Sequence, residues 1–341
     1  MKKTLLLMLF ALAIMGGKSF AQNSQVATRY AKAYGTTETY YGDQAFINAL
    51  QYAEDGDIIT LSGGTFDVSN QSITKAVTVR GAGMKADATL GTLPTVLTGD
   101  FRLTVSEGFS MEGIYHNGTI SYSTAQSPKF IKCRLNEITS ATSSSSITDI
   151  HFIHCKIVGK LALRYNCTAT CINSVVNNPT TYGEAAGGNV GSGRFAFTNC
   201  FLYTNSPLIK TSAITNCVIY DNLSNGEGVF DNTNVIIKNV GCSSGGIDIF
   251  PNADGTNLAI DSYNNFTSLL GLDLDGGIDD LTYSMRWGGS YLGTDNTQVG
   301  IYGGTLPYDE KVTGPRITAA TVGTETTSDG KLSVDITVSA Q

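Results

Sequence analysis

The feature that most constrains this chain is a recurrence. A cysteine keeps returning behind a polar residue and between short apolar runs: "KFIKCRL" (129–135), "HFIHCKI" (151–157), "AFTNCFL" (196–202) and "AITNCVIY" (213–220). The step is 22 residues from Cys133 to Cys155, 16 on to Cys171, 29 to Cys200 and 17 to Cys217. These steps scatter about a coil of roughly 20 residues, a period that belongs to solenoids. The runs are rich in β-branched and aromatic residues, too short for helices, and bounded by Gly, Asn, Ser and Asp.

A stack of parallel β-coils accounts for this pattern. Each coil adds short strands to long parallel sheets, and an inward side chain lies on its counterpart one strand away, roughly 4.8 Å. Ile, Val and Phe suit such a column because stacking buries them. Cysteine fits where the chain turns, being small and apolar. Asparagine tolerates the left-handed conformation of a turn, and its amide can bond to the asparagines above and below. The Asn–Cys pair therefore reads as a corner of the coil. His154 stands before Cys155 where other coils carry Asn, and reads as a substitute at that corner. Since the cysteines sit in apolar stretches, most are expected to be free thiols.

A coil stack has two open ends that need cover. "DQAFINALQYAE" (43–54) predicts an amphipathic helix, with Asp43 as N-cap and Ala45, Phe46, Ala49, Leu50 and Ala53 on one face. It would plug the N-terminal mouth. At the other end, "GPRITAATVGTETTSDGKLSVDITVSAQ" (314–341) predicts two strands about Ser328-Asp329-Gly330, with Leu332, Val334, Ile336 and Val338 alternating. A cap is the expected role.

"ALQYAEDGDIITLSGGTF" followed by "ITKAVTVRGAG" resembles the opening of right-handed parallel β-helix proteins of the pectate-lyase-like superfamily. There an N-terminal helix leads into a first coil of the form D-G-D-x-I-x-L-x-x-G-x-F/Y. The likeness runs from about residue 43 to 250. It implies an all-β solenoid, a right-handed parallel β-helix with an N-terminal capping helix and a C-terminal β tail. It implies no single activity, since one fold hosts many functions: the superfamily includes lyases, hydrolases, esterases, tailspikes and adhesins. "GTDNTQVGIYGGTLPY" (293–308) resembles the closing segment of exported β-helix proteins of Gram-negative bacteria.

"MKKTLLLMLFALAIMGGKSFA" has the charged, apolar and small-residue order of a secretory signal. The expected organisation is a signal peptide over 1–21, an N-terminal segment with the helix over 22–54, a β-helix over 55–305 and a tail or cap over 306–341. The mature protein would then be secreted, periplasmic or at the cell surface, with no transmembrane segment. A net charge of −7 and the lack of a basic stripe argue against nucleic acid as a partner. An acidic glycan would need local positive charge or a bridging cation.

Chemistry is sparse. Asp279-Asp280 is the one adjacent Asp-Asp pair, a candidate in the glycosidase sense, but it lacks the Gly-His-Gly and Arg-x-Lys companions of polygalacturonases. Asp273, Asp275 and Asp279 in "DLDGGID" offer oxygens in a pattern that takes Ca2+ in other modules, though the full EF-hand loop is missing. No cofactor is otherwise expected. The long step before Cys200 holds "NNPTTYGEAAGGNVGSGRF" (177–195), and insertions in solenoids map to loops on one face, often the binding face. Its substrate-binding candidates are Tyr182, Glu184 and Arg194. The expected function is a non-catalytic exported protein that binds polysaccharide or a surface partner. The alternatives are a polysaccharide lyase or glycoside hydrolase, and a purely structural or adhesive protein.

Overall fold

The structure is a computed structural model and describes residues 25–86, 92–105, 107–140, 146–164, 167–182, 194–204, 213–221, 236–238, 241–242, 258–259, 292–311, 316–326 and 332–339. Two long sheets dominate. The first has 11 strands and the second 14. Apart from an N-terminal hairpin, their strands pair in parallel. The chain alternates between them: Lys129–Ile131 in the first, Arg134–Ser140 in the second, Ile150–Ile153 back in the first and Lys156–Arg164 in the second. This is a sheet-rich parallel fold compatible with a parallel β-helix.

Stacking explains which residues are inside. Down the first sheet, Ile59, Val79, Met111, Phe130, Phe152, Cys171, Phe197 and Ile214 occupy one register position on successive strands. All are buried. The Phe130 and Phe152 rings stack at 5.4 Å between centroids and 15° between planes. The facing column of the second sheet runs Phe66, Leu97, His116, Leu135, Ile157, Val176, Leu202 and Ile219. His116 sits inside that apolar column, with Nε2 2.9 Å from the Gly99 carbonyl. Burial holds its imidazole below the ordinary histidine range, with the Gly99 bond opposing.

The corners are as the Asn–Cys pairs suggest, with one change of register. Gly113, Lys132, His154, Asn173, Asn199 and Asn216 all have positive φ, between 44° and 65°. Each lies between a strand of the first sheet and one of the second. The next residue points inward: Ile114, Cys133, Cys155, Ser174, Cys200 and Cys217 are all buried. The third coil therefore turns at Asn173–Ser174, not at Cys171, which belongs to the interior column of the first sheet. Measured by corners, Ser174 stands 19 residues after Cys155. Cys133, Cys155, Cys167, Cys171, Cys200 and Cys217 are free thiols. Burial pushes the Cys155, Cys171 and Cys217 thiols well up.

The N-terminal end differs from expectation. Strand β1 (Val26–Ala31) and strand β2 (Thr36–Tyr41) form an antiparallel hairpin, and β1 also pairs antiparallel with β3 (Ile58–Leu61), the first coil strand. Helix α1 (Ala45–Tyr52) follows β2 and packs on all three strands. It is shorter than 43–54. Asp43 is not its N-cap: Gln44 takes that place without a side-chain bond, and the Ala45 N–H donates to the Gly42 carbonyl instead. Ala45, Phe46, Ala49 and Ala53 are buried in the continuous core as the periodicity requires, and Leu50 is half-buried against it.

The Asp55-Gly56-Asp57 run bolts this end to the first coil. Asp55 accepts the Ala76 N–H at 2.8 Å, and Gly56 turns with φ +89°. Asp57 accepts from Arg29 Nε at 2.8 Å and from the Glu54 and Lys32 amides at 3.0 Å. Burial alone would raise its carboxyl, but those three donors outweigh it and hold it below the usual range. Arg29 also donates to Glu38 at 2.9 Å, so the β1–β2 hairpin and β3 share one buried ion pair.

At the C-terminal end, Arg316–Thr326 and Leu332–Ser339 pair antiparallel in a separate two-stranded sheet. Before them, residues 292–311 carry no strand or helix and lie along the corners as a strap.

Candidate functional site

Among the described residues a recess lies at the N-terminal end, where strands Gln71–Ile73, Phe101–Val105 and Tyr115–Gln126 pair in parallel. Two clefts of about 350 and 320 Å³ adjoin there and share Gln71 and Ser72. One is walled by Ile47, Leu50 and Gln51 of α1. The other is floored by Phe101 and lined by Asn70, Asp100, Arg102 and Ser121.

The register sets the chemistry of this floor. Ser72 pairs with Arg102, Arg102 with Ser121, and Ser121 with Thr139. Because alternate residues face opposite ways, buried Phe101 and Leu103 point to the core while Ser72 and exposed Arg102 point out. The result is an outward row of hydroxyl, guanidinium, hydroxyl and hydroxyl. Its rungs lie at parallel-strand spacing, about 4.8 Å. Hydroxyls donate and accept, and a guanidinium takes a carboxylate on two parallel bonds. Asp100 is the only carboxylate lining either cleft, and its Oδ1 already accepts the Thr119 N–H at 2.7 Å. These clefts thus lack the two facing carboxylates of glycoside hydrolysis.

Beyond α1 the same end exposes aromatic rings. Tyr34 and Tyr41 are 70% and 71% exposed, and Tyr30 and Tyr52 are exposed as well. The Tyr40 and Tyr52 rings are nearly parallel, 7° apart, with centroids at 6.2 Å. Tyr40 donates to Glu38 at 2.6 Å, and that bond, with Arg29 beyond it, holds the Glu38 carboxyl below its usual range.

The residues expected to form a site are placed as follows. Arg194 is exposed at the start of the first-sheet strand Arg194–Thr198. Tyr182 ends the second-sheet strand Pro179–Tyr182. Glu184 lies outside the described residues, as do Asp273, Asp275, Asp279 and Asp280. Among the described residues no group of three or more His, Cys, Asp and Glu could hold a metal ion. His151 faces outward beside Lys129, while His154 lies at the corner just past the end of that strand. Sequence reasoning missed the Ser72–Arg102–Ser121 row, because only register shows that residues 30 and 19 positions apart are neighbours. It also missed the tyrosines, which apart from Tyr52 at the end of α1 lie on a hairpin that reads as polar.

Against protein-family models, curated proteins and solved structures the chain finds no match. Among the described residues no helix is long and apolar enough to cross a membrane.

Proposed function

We propose that this protein is an exported, non-catalytic binder of polysaccharide, with its contact surface at the N-terminal end. The Ser72–Arg102–Ser121–Thr139 row carries the reading. It offers repeated hydrogen-bonding groups and one cation at a regular spacing, and the same end of the chain exposes tyrosines on which sugar rings can stack. Its single guanidinium answers the need for local positive charge in an acidic chain that meets a uronate. In this reading the fold is a right-handed parallel β-helix of the pectate-lyase-like kind, α1 caps its N-terminal mouth, residues 1–21 are removed on export, and the site of action is the surface or surroundings of a Gram-negative cell. Two long parallel sheets traversed in alternation, and the D-G-D opening, support that assignment.

The test is retention of the mature protein on uronate and neutral polysaccharides, with and without calcium, while unsaturated products and reducing ends are followed. Binding without turnover is expected. Arg102→Ala should weaken uronate binding about tenfold, the worth of one charge-assisted hydrogen bond, and leave neutral glycans nearly unchanged. Tyr41→Ala and Tyr52→Ala should weaken both classes. Product formation would replace this reading with an enzymatic one, and no retention on any glycan would favour a structural or adhesive role.

A further inference from the structure

Residues 292–311 run against the coil direction down the corners from Asn216 to Lys132, and these side chains meet them differently. Asn216 accepts from the Thr294 N–H at 3.0 Å and donates to its hydroxyl at 3.2 Å. Asn173 donates to the Ile301 and Gly303 carbonyls at 2.8 and 2.7 Å. Gly304 lies so close to Asn199 that an added Cβ would sit 2.4 Å from its amide nitrogen. Further down the chemistry changes. His154 Nε2 meets the Leu306 carbonyl at 3.0 Å. Lys132 bonds the Asp309 carboxylate at 3.3 Å and also the Lys311 carbonyl. Glu310 bridges Lys85 at 2.7 Å and Lys156 at 3.1 Å.

The strap thus has two halves. Residues 292–303 are held by neutral amides and by Val299 and Ile301, both buried. Residues 304–311 are held by an imidazole and by ion pairs. The row beneath matches this division: Val218, Phe201 and Val175 lie at one register position of the second sheet, then Lys156 and Arg134 at the same position further on.

We propose that residues 304–311 are an acid-opened gate, hinged on residues 292–303, over a cationic stretch made by Lys132 at its corner and Lys156 in the second sheet. His154 is the first group to act. A bond to a carbonyl requires Nε2 to carry the proton, so neutral His154 keeps Nδ1 bare, and that atom is buried without a partner. A second proton there is buried beside the Lys132 charge, and the support from Asp309 does not outweigh that burial. The charged and titratable groups facing the ring are Lys132 from the preceding corner and Asp309 and Tyr308 from the strap, Tyr308 at 6.0 Å between centroids. Burial, with Lys132, holds the closed imidazole below its ordinary range, with the Leu306 bond and Asp309 opposing. In the open state the ring is in water and titrates near 6.5. The open form therefore binds protons first: closure is complete above about pH 6.5 and is lost as pH falls toward the depressed value. Asp309 and Glu310 add a second stage lower down. Burial would raise both, but the Lys311 backbone N–H and Lys132 at Asp309, and Lys85 and Lys156 at Glu310, outweigh it and hold both below the carboxylate range, so their protonation also favours opening.

Amide exchange on the mature protein at pH 7.5, 6.5, 5.5 and 4.5, expressed as protection factors, tests this. The Tyr308 N–H is the natural probe, since it donates to the Ile301 carbonyl at 2.9 Å. Its protection should fall by up to about tenfold per pH unit once one linked proton is in play, while residues 292–303 change little. His154→Asn is the decisive variant, because Asn already occupies the same left-handed corner at 173, 199 and 216. It should keep the strap closed at pH 5.5 and leave only the lower stage. Protection at 304–311 that is flat from pH 7.5 to 5.5, an equal loss over 292–303, or an unchanged pH profile in His154→Asn would each overturn the gate.

Discussion

The interior column of the first sheet and the corner column beside it are made by the same coils, a few residues apart in each, yet they follow different rules. The interior accepts any apolar side chain that stacks: Ile59, Val79, Met111, Phe130, Phe152, Cys171, Phe197 and Ile214 succeed one another without a consensus. The corner fixes the backbone first. Every residue there is left-handed, and its side chain is then chosen by what lies outside, namely the strap. One column specifies volume, the other conformation and hydrogen bonding.

The largest effect should come from the interior. Phe152 is fully buried and stacked on Phe130. Phe152→Ala removes a whole ring from a column that cannot close up without moving the rungs on both sides. A loss of about 3–5 kcal/mol is expected in urea unfolding, whereas Phe152→Leu should cost about 1–2 kcal/mol because it nearly keeps the volume. Similar losses for the two variants would mean that the column does not specify volume, and the contrast with the corner would fail.

Asn173 sharpens the other side. Asn173→Gly keeps the left-handed backbone but strands the Gly303 carbonyl and leaves that of Ile301 with only the Tyr308 N–H, at a cost of about 1–3 kcal/mol. Asn173→Ala loses the same two bonds and adds the left-handed penalty of about 1–2 kcal/mol, partly offset by glycine's extra unfolded-state entropy of about 0.5–1 kcal/mol. Alanine should therefore be the worse of the two by about 0.5–1 kcal/mol. Equal stability would show that the amide alone matters at this corner.

The same contrast explains what could be read from the sequence. The coil rhythm was legible because burial forces apolar runs, and the corners because few residue types tolerate positive φ. Asn199–Cys200 and Asn216–Cys217 announce themselves. Asn173–Ser174 did not, because serine at the inward position breaks the cysteine pattern, and Cys171 nearby offered a false register. The expected amide-to-amide ladder gave way to bonds from Asn173 and Asn216 to a strap 128 and 78 residues further along. No local pattern encodes such contacts: residues 292–311 have no periodicity of their own. The β1–β2 hairpin was missed for a related reason. "TTETYY" is exposed or half-exposed throughout as an edge strand, so no alternation marks it. The outward row at Arg102 is legible only after register is known.

The smallest expected effect is the most informative about the cysteines. Cys155 lies 3.2 Å from the Phe130 carbonyl and 3.4 Å from that of Ile153. Ser174, one coil on, occupies the equivalent place: its hydroxyl donates to the Ile172 carbonyl at 2.8 Å and accepts the Cys155 N–H at 3.0 Å. From Cys133 to Cys217 the inward corner thus takes a small side chain that can bond to a carbonyl two residues back, and sulfur chemistry is incidental to it. Cys155→Ser should cost no more than about 1 kcal/mol, since a satisfied buried hydroxyl is close to neutral. Thiol titration should agree: the buried, up-shifted thiols should react slowly with a disulfide reagent in the native protein and fully once it is unfolded. A loss of several kcal/mol in Cys155→Ser, or thiols that stay silent after unfolding without reductant, would mean that the corner cysteines are bonded to one another and that the corner, too, is held covalently.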